Sequence, residues 1–355
     1  MIKIDKISIK KIFEDTELGN SRLEFNIKGI NINYILINTI RRTIFSDIPI
    51  YAFDNFKFEK NTSNFHNNYL KLRISALPVW GIENKINYID STIIDNTLSK
   101  VYEENKNEID DINYLNQNDN ENENDIDTEN DDINKFDSIE ASTLKQMTMY
   151  VNYKNKTNNI INITTNDAKF YYEEKLIKLP YNNVLLLKLH PLQEISFVAI
   201  TNLSTEKTNA IYSPVTITTY KEINDNEYIF ILESRGQITE KKILLIALLN
   251  IERRIKNFIK IINTTKFESD NNLEGKIEIQ NEDHTLGNLI TRGMQQHSEV
   301  EFAGYNLPHP LIEKVIFHYK IKNTKKVNIK TILNDVVDYY IELIKKLKKE
   351  IELNL

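Results

Sequence analysis

One pattern occurs twice in this chain, and it limits what the chain can become. A strand-like stretch, Leu23-Glu24-Phe25-Asn26-Ile27, leads into a helical stretch over 31–46. Far downstream, Lys276-Ile277-Glu278-Ile279 leads into a second helical stretch over about 285–297. Inside those helices Asn38-Thr39-Ile40-Arg41-Arg42 aligns with Asn288-Leu289-Ile290-Thr291-Arg292. Each copy closes on a long amphipathic helix. The first is expected from Glu240 to about Ile262 behind Thr239 as N-cap, with Leu248, Ile251, Ile255 and Phe258 in its apolar set. That set is wider than a surface helix needs, so another element must cover it. The second is expected from about Lys330 to Leu353, with Val336 and Tyr340 on its apolar stripe and lysines opposite. Two copies of one unit, each with an uncovered apolar face, predict mutual burial in a pseudo-two-fold pair within one chain. A polar linker over 263–275 would hold the halves at roughly millimolar effective concentration.

The intervening sequence predicts an α+β fold in three parts. Residues 1–83 and 209–262 form a larger, discontinuous domain and 276–355 a smaller one, with a β-rich insertion over 84–208. Strand-like runs in the insertion lie at Thr148–Tyr153, Asn159–Thr164, Val184–Leu189 and Ile195–Ala199. Residues 103–137 are acidic and of low complexity, and such a segment cannot bury enough apolar surface to offset its ordering entropy. A disordered loop is expected there, with a contact to a basic partner as the other reading. Near the start, Asn31 or Asn33 caps the first helix and Pro49 stops it.

Two unusual blocks in the second copy carry a resemblance. The first is Asn281-Glu282-Asp283-His284-Thr285-Leu286-Gly287-Asn288-Leu289 and the second Phe302-Ala303-Gly304-Tyr305-Asn306-Leu307-Pro308-His309-Pro310. Together they resemble the small alpha-like subunits of cellular RNA polymerases, namely the eleventh eukaryotic subunit and archaeal L. Upstream, Asn38 to Ile44, Asp47-Ile48-Pro49, Asn61-Thr62-Ser63, His66, and Arg73 before Leu77-Pro78 resemble the larger partners: bacterial alpha, archaeal D and the third-largest eukaryotic subunit. Ile211 to Val215 and Tyr228 to Gly236 resemble the return of that larger subunit into its dimerisation domain. The chain thus resembles both subunits fused head to tail, a habit of some large DNA viruses.

The resemblance implies a non-catalytic assembly platform for a DNA-directed RNA polymerase. Asn38, Arg41, Arg42, Asn61, Thr62, Ser63, His66 and Arg73 would face the two largest, catalytic subunits. Leu36, Ile40, the long helices, and the 283–289 and 302–310 blocks would make the dimerisation seam. The other small polymerase subunits are further implied partners. DNA would be met only through the complex, and no separate small alpha-like partner would be needed. One departure from the family is Ser75, where glycine is usual. Another is the absence of cysteine, since some relatives bind zinc or an iron–sulfur cluster in the insertion.

The residues alone allow blander readings. Arg41-Arg42 near a helix end complements the helix dipole, and Asn61-Thr62-Ser63 is a turn signal. Glu282-Asp283-His284 offers acid–base material, but no nucleophile follows at a recognisable spacing and Thr285 reads as a helix start. Gly287-Asn288 is expected to permit close packing, and Gly304-Tyr305 with Pro308-His309-Pro310 to form a rigid turn before a strand at 313–321.

With no cysteine, six scattered histidines and only eight glycines, no cysteine-ligated metal, zinc spacing or phosphate-cradling loop is expected, and no cofactor. A net charge of −6 argues against nucleic-acid binding through overall charge. The alternative is a free-standing nucleic-acid-binding regulator, resting on Lys325-Lys326, Lys345-Lys346 and Lys348-Lys349. The charged, alternating N-terminus is not expected to be a signal peptide, and no apolar run is long enough to span a membrane. An intracellular site is expected: cytoplasmic, in a viral factory or virion, for a cytoplasmic DNA virus, and nuclear otherwise.

Overall fold

Alternation in Arg22–Lys28 (β2) buries Leu23, Phe25 and Ile27 on one face and leaves Arg22, Glu24 and Asn26 on the other. The computed structural model in which this is seen describes residues 4–17, 21–80, 146–172, 175–178, 183–264, 273–309, 312–322 and 328–355. The expected acidic loop at 103–137, Pro310 and Lys325-Lys326 lie outside the described residues. So does most of the expected linker, because the preceding helix runs to Thr264 and the next strand starts at Glu274. The chain is a mixed α+β protein with two compact units, one formed by Met1–Ile48 with Ser213–Leu355 and the other by Pro49–Tyr212.

The first unit holds two antiparallel sheets. One has the order β1-β2-β11-β10, from Ser8–Asp15 (β1), β2, Val215–Asn224 (β10) and Glu227–Ser234 (β11). The other has the order β12-β14-β13, from Glu274–Gln280 (β12), Val300–Asn306 (β13) and Lys314–Ile321 (β14). Helix α1 (Tyr34–Ser46) starts because Asn33 Oδ1 accepts from the Leu36 amide at 3.1 Å. Helix α4 (His284–Gln296) starts the same way, with Asp283 Oδ1 accepting from the Thr285 amide at 2.8 Å. Asn281 precedes it at φ 58°, a left-handed conformation that asparagine tolerates.

The long helices are α3 (Glu240–Thr264) and α5 (Ile329–Asn354). Thr239 stands just ahead of α3, and its carbonyl accepts the first helical bond from the Ile243 amide at 2.9 Å. The apolar positions Ile243, Leu244, Leu248, Ile251, Ile255, Phe258 and Ile262 of α3 are buried, and the two long helices pack on each other. Each also packs on one of the two sheets. Phe258 of α3 meets Phe317 of β14, while Leu347 and Ile351 of α5 gather with Phe25, Ile27 and Phe230 of the first sheet. Fully burying one such side chain contributes about 1.5–3 kcal/mol.

In the second unit, Ile50–Asn61 (β3) and Glu194–Ser204 (β9) pair along most of their length. They continue through Met147–Lys154 (β4), Lys169–Tyr172 (β6) and Lys175–Ile177 (β7) in the order β3-β9-β4-β6-β7. Ile161–Thr164 (β5) and Leu185–Leu189 (β8) form a separate ribbon. Residues 50–80 thus group with the insertion strands.

The structure adds to the sequence reading and corrects it in places. Asn67–Ser75 is a short helix (α2) that the sequence pattern did not signal: only Leu70, Ile74 and Ser75 are buried. Gly304 and Tyr305 are not in a turn. They lie in β13, where Gly304 opposes His318 and Tyr305 opposes Phe317, so cross-strand pairing outweighs the turn-forming tendency of glycine.

Candidate functional site

Polar contacts from two separate stretches of the first unit, at Asp47 and at Glu282-Asp283, converge on Arg254, midway along α3. Its Nη1 lies 3.1 Å from Asp47 Oδ2, at the C-cap of α1. Its Nε and Nη2 donate to Glu282 Oε2 at 3.1 and 2.5 Å, and Nη2 also reaches Asp283 Oδ1 at 2.7 Å. Burial works against the charged guanidinium, but Glu282, Asp47 and Asp283 outweigh it and raise the pKa well above the ordinary arginine value. One turn earlier, Asn250 Nδ2 donates to the Asp47 carbonyl at 2.9 Å. Arg42 joins from α1: its Nε donates to Thr285 Oγ1 at 2.9 Å, and Nη2 stands 3.6 Å from Asp283 Oδ2. Five charged groups, from α1 and its C-cap, from α3 and from the approach to α4, therefore meet where α1, α3 and α4 converge.

The expected seam residues Leu36, Ile40, Leu248, Ile251, Ile255, Phe258, Leu286, Leu289, Val336 and Tyr340 are all buried. Tyr340 donates to the Leu289 carbonyl at 2.8 Å, and burial raises its phenol pKa strongly. Gly287 lies beneath the ring of Tyr305, where a Cβ would come within 2.7 Å of Tyr305 Cδ2. His284 is exposed, and its Nδ1 is 3.2 Å from the Tyr305 hydroxyl, a contact that orients the ring. Asn288 is half-buried. Phe302, by contrast, is 57% exposed, and Pro308 and His309 are exposed beyond β13. The structure brings 283–289 together with the helices but does not bury these three among them. Gly304 is half-buried in β13.

The outer side of α1 carries a different group. Tyr34 (56% exposed), Asn38, Arg41 and Phe45 (40% exposed) follow one another at helical spacing. Arg41 Nε donates to Asn38 Oδ1 at 3.0 Å, so the pair is held along the helix between two exposed aromatics. Arg41 and Arg42, adjacent in sequence, point to different work.

The other expected interface residues lie in the second unit. Asn61 Oδ1 accepts from the Ser63 amide and hydroxyl, while its Nδ2 donates to Phe65 and Asn67. Thr62 exchanges hydrogen bonds with Glu194. His66 caps α2 through Nδ1, accepting from the Asn68 amide at 3.2 Å. Arg73 donates to the Leu185 carbonyl at 2.9 Å and lies over the Tyr69 ring. These residues build one rigid corner beside an exposed patch of Tyr69 and Leu72.

Sequence reasoning did not single out Arg254. Its signal is a cation placed between Ile251 and Ile255, next to the buried stripe of the helix, with an acidic pair, Glu282-Asp283, elsewhere in the chain. Among the described residues no group of three or more His, Asp or Glu could hold a metal ion, and no helix is long and apolar enough to cross a membrane.

Comparison with known proteins is consistent with this geometry. Residues 274–350 match the family described as the RNA polymerase Rpb3/Rpb11 dimerisation domain. A protein of Acanthamoeba polyphaga mimivirus, provisionally named DNA-directed RNA polymerase subunit R470, is 28% identical over 350 residues, covering 95% of this chain and 92% of the relative. DNA-directed RNA polymerase subunit Rpo11 of Saccharolobus solfataricus is 42% identical over 79 residues, which is 21% of this chain and 86% of the relative. A subunit RPAC2 of RNA polymerases I and III from Caenorhabditis briggsae is 40% identical over 76 residues, which spans 50% of that relative.

Proposed function

The chain belongs to the alpha-like, Rpb3/Rpb11-type subunits of DNA-directed RNA polymerases, and from that premise we propose that it is a complete alpha-like pair in one polypeptide, serving as the platform for the two largest subunits. In this reading residues 1–83 and 209–262 act as the larger partner and 276–355 as the smaller. The halves meet about a pseudo-two-fold axis, and no separate small alpha-like subunit is needed.

The observation that carries the reading is the reciprocal crossing of the long helices. Helix α3 places Phe258 on Phe317 of the downstream sheet, and α5 places Leu347 and Ile351 against Phe25 and Phe230 of the upstream sheet. Obligate interfaces are large and apolar, and the continuous burial along both helices supports that class of interface. The Asn38–Arg41 stripe with its flanking aromatics, together with the Asn61–Arg73 corner, supplies the docking surfaces for the large subunits. Exposed arginine and aromatic side chains are enriched in such interfaces.

The platform performs no chemistry of its own and meets DNA only through the assembled enzyme. The viral relative supports transcription in the cytoplasm of an infected cell. The nucleic-acid-binding reading loses ground to the lysine contacts: Lys348 bonds Glu252 at 2.5 Å and Lys346 donates to the Ile4 carbonyl at 3.1 Å, so part of the basic face is engaged within the fold.

The direct test is Arg41→Glu. Arg41 touches only its own helix neighbour among the contacts described above, so the variant should keep the fold, seen as unchanged circular dichroism and melting. It should also lose most of its recovery of the two largest polymerase subunits in a pull-down. Recovery equal to wild type would overturn the assignment of this stripe.

A further inference from the structure

Helices α1 and α4 share one register. Asn33 caps the first and Asp283 the second, each helix has 13 residues, and each is followed by a C-cap, Asp47 or His297. A constant offset of 250 therefore relates them and matches Ile32 with Glu282, Asn33 with Asp283, and Ile35 with Thr285.

The matched positions are chemically unlike. Glu282, Asp283 and Thr285 form an acceptor cradle that receives Arg254 and Arg42. Their counterparts offer no carboxylate. Ile32 is 0% exposed, Ile35 is buried, and the Asn33 side-chain Oδ1 accepts from the Leu36 amide as the cap. On the other side of the seam no arginine–carboxylate cradle is formed at the matched positions: Asn31 Nδ2 lies 3.3 Å from the Tyr339 hydroxyl, within the field of Arg292.

This asymmetry bears on partner choice, and the inference rests on the pairing reading given above. We propose that Arg42 and Arg254 are specificity-determining residues: they fix the smaller half, with its Glu282–Asp283–Thr285 cradle, as the partner of the larger half and reject the larger half of a second copy. Were two larger halves to pair, each Arg254 would keep Asp47 of its own half but lose Glu282 and Asp283. Each Arg42 would lose Thr285 and Asp283. Two guanidiniums would share one carboxylate in a half-buried seam, and a partly desolvated cation short of partners is unfavourable.

Rejecting that one pairing has a wider effect. When two copies pair larger with larger and smaller with smaller, the two like seams form together, so excluding the first excludes that dimer, whereas a reciprocal exchange that keeps larger with smaller is opposed by the tether alone. The tether by itself favours the intramolecular pair only while the chain is well below the roughly millimolar effective concentration of its own halves. Charge selection holds where the tether ceases to discriminate.

The test is sedimentation velocity of the full chain over rising concentration, comparing wild type, Arg254→Glu, Glu282→Arg and the double variant. Wild type should stay at the mass of one chain. Arg254→Glu gathers four carboxylates in the correct seam, so it should shift to the mass of two chains as concentration rises. Adding Glu282→Arg should return it to one. A second variant keeps the fold safe: Asn33→Asp replaces one good N-cap by another and hands the larger half a carboxylate. It should give two-chain mass at concentrations where wild type shows none. The proposal fails if Arg254→Glu, or Asn33→Asp where the former does not fold, stays at one-chain mass.

A cross-link separates this failure from failure of the pairing itself. Lys241 Nζ donates to the Glu352 carbonyl at 3.1 Å, and the chain has no cysteine. Lys241→Cys with Glu352→Cys, joined by a short bis-maleimide, should give an intrachain product in the otherwise wild-type protein. Absence of that product would reject the pairing of halves, whatever the oligomeric state of the charge variants.

Discussion

Phe258 meets Phe317 edge-on, with ring centroids 5.7 Å apart and planes inclined by 63°. The first ring belongs to α3, and the second to β14, the central strand of the three-stranded sheet. Both are buried. Replacing Phe258 by alanine removes an edge-to-face pair and leaves a cavity. The expected loss is about 3–5 kcal/mol, read as a lower midpoint in urea unfolding. Loss below about 1 kcal/mol would mean that the helix end is not held by this contact.

Gly293 gives a second prediction. It sits in α4 where a Cβ would collide with Val336 Cγ1 and come within 2.8 Å of Tyr340 Cε2. On helix propensity alone Gly293→Ala should stabilise by up to about 1 kcal/mol. Overpacking against α5 costs about 1–3 kcal/mol, so the net effect is expected to be destabilising. Val336→Ala, which makes room, should make the alanine at 293 less harmful than in wild type. Simple additivity of the two changes would contradict close approach of these helices.

Acid stability should depend on Glu252. Burial raises the pKa of this carboxyl, but Lys256 and Lys348 outweigh it and the net direction is down from the ordinary 4.5. A carboxylate whose folded pKa is depressed contributes stability that is present above its unfolded pKa. That contribution is lost as pH falls through the folded value. Melting temperature should therefore drop on acidification below about pH 4.5, and Glu252→Gln should show a shallower acid limb and a lower melting temperature near neutrality. An identical acid limb in the variant would remove Glu252 from the account.

The Asn61 corner in the second unit makes a fourth prediction. Its side chain satisfies groups on Ser63, Phe65 and Asn67. Asn61→Ala should cost about 1–3 kcal/mol through unpaired polar groups. The mobility of 61–67 should rise in hydrogen exchange, because the loop loses its internal acceptor. Unchanged exchange there would show that the turn holds itself without the side chain.

These predictions divide by what the sequence makes legible. The caps Asn33 and Asp283, the stop at Pro49 and the stripes of α3 and α5 depend on residues within a turn or two, so periodicity and capping chemistry reveal them. Helix α2 escaped because its sequence, Asn67 to Ser75, lacks an apolar stripe and rests on two buried aliphatics. Gly304-Tyr305 reads as a turn in sequence because Gly304 and the prolines near 308 dominate locally, whereas the pairing of β13 with β14 is decided across the sheet.

The site shows the same division. Arg41 and Arg42 are indistinguishable in sequence, yet one turns to Asn38 along its own helix and the other to Thr285, 243 residues away. Arg254 gathers Asp47, Glu282 and Asp283 from segments that are remote in the chain. No local pattern announces such a meeting. The resemblance of the 281–289 block supplied the location of the cradle but not the cation that fills it.

The most direct measurement is a tagged pull-down of the full chain from its native source, washed in high salt, with mass spectrometry of everything retained. The account predicts stoichiometric recovery of the two largest RNA polymerase subunits and no separate small alpha-like subunit. Recovery of the protein alone, or only with DNA that salt removes, would contradict it.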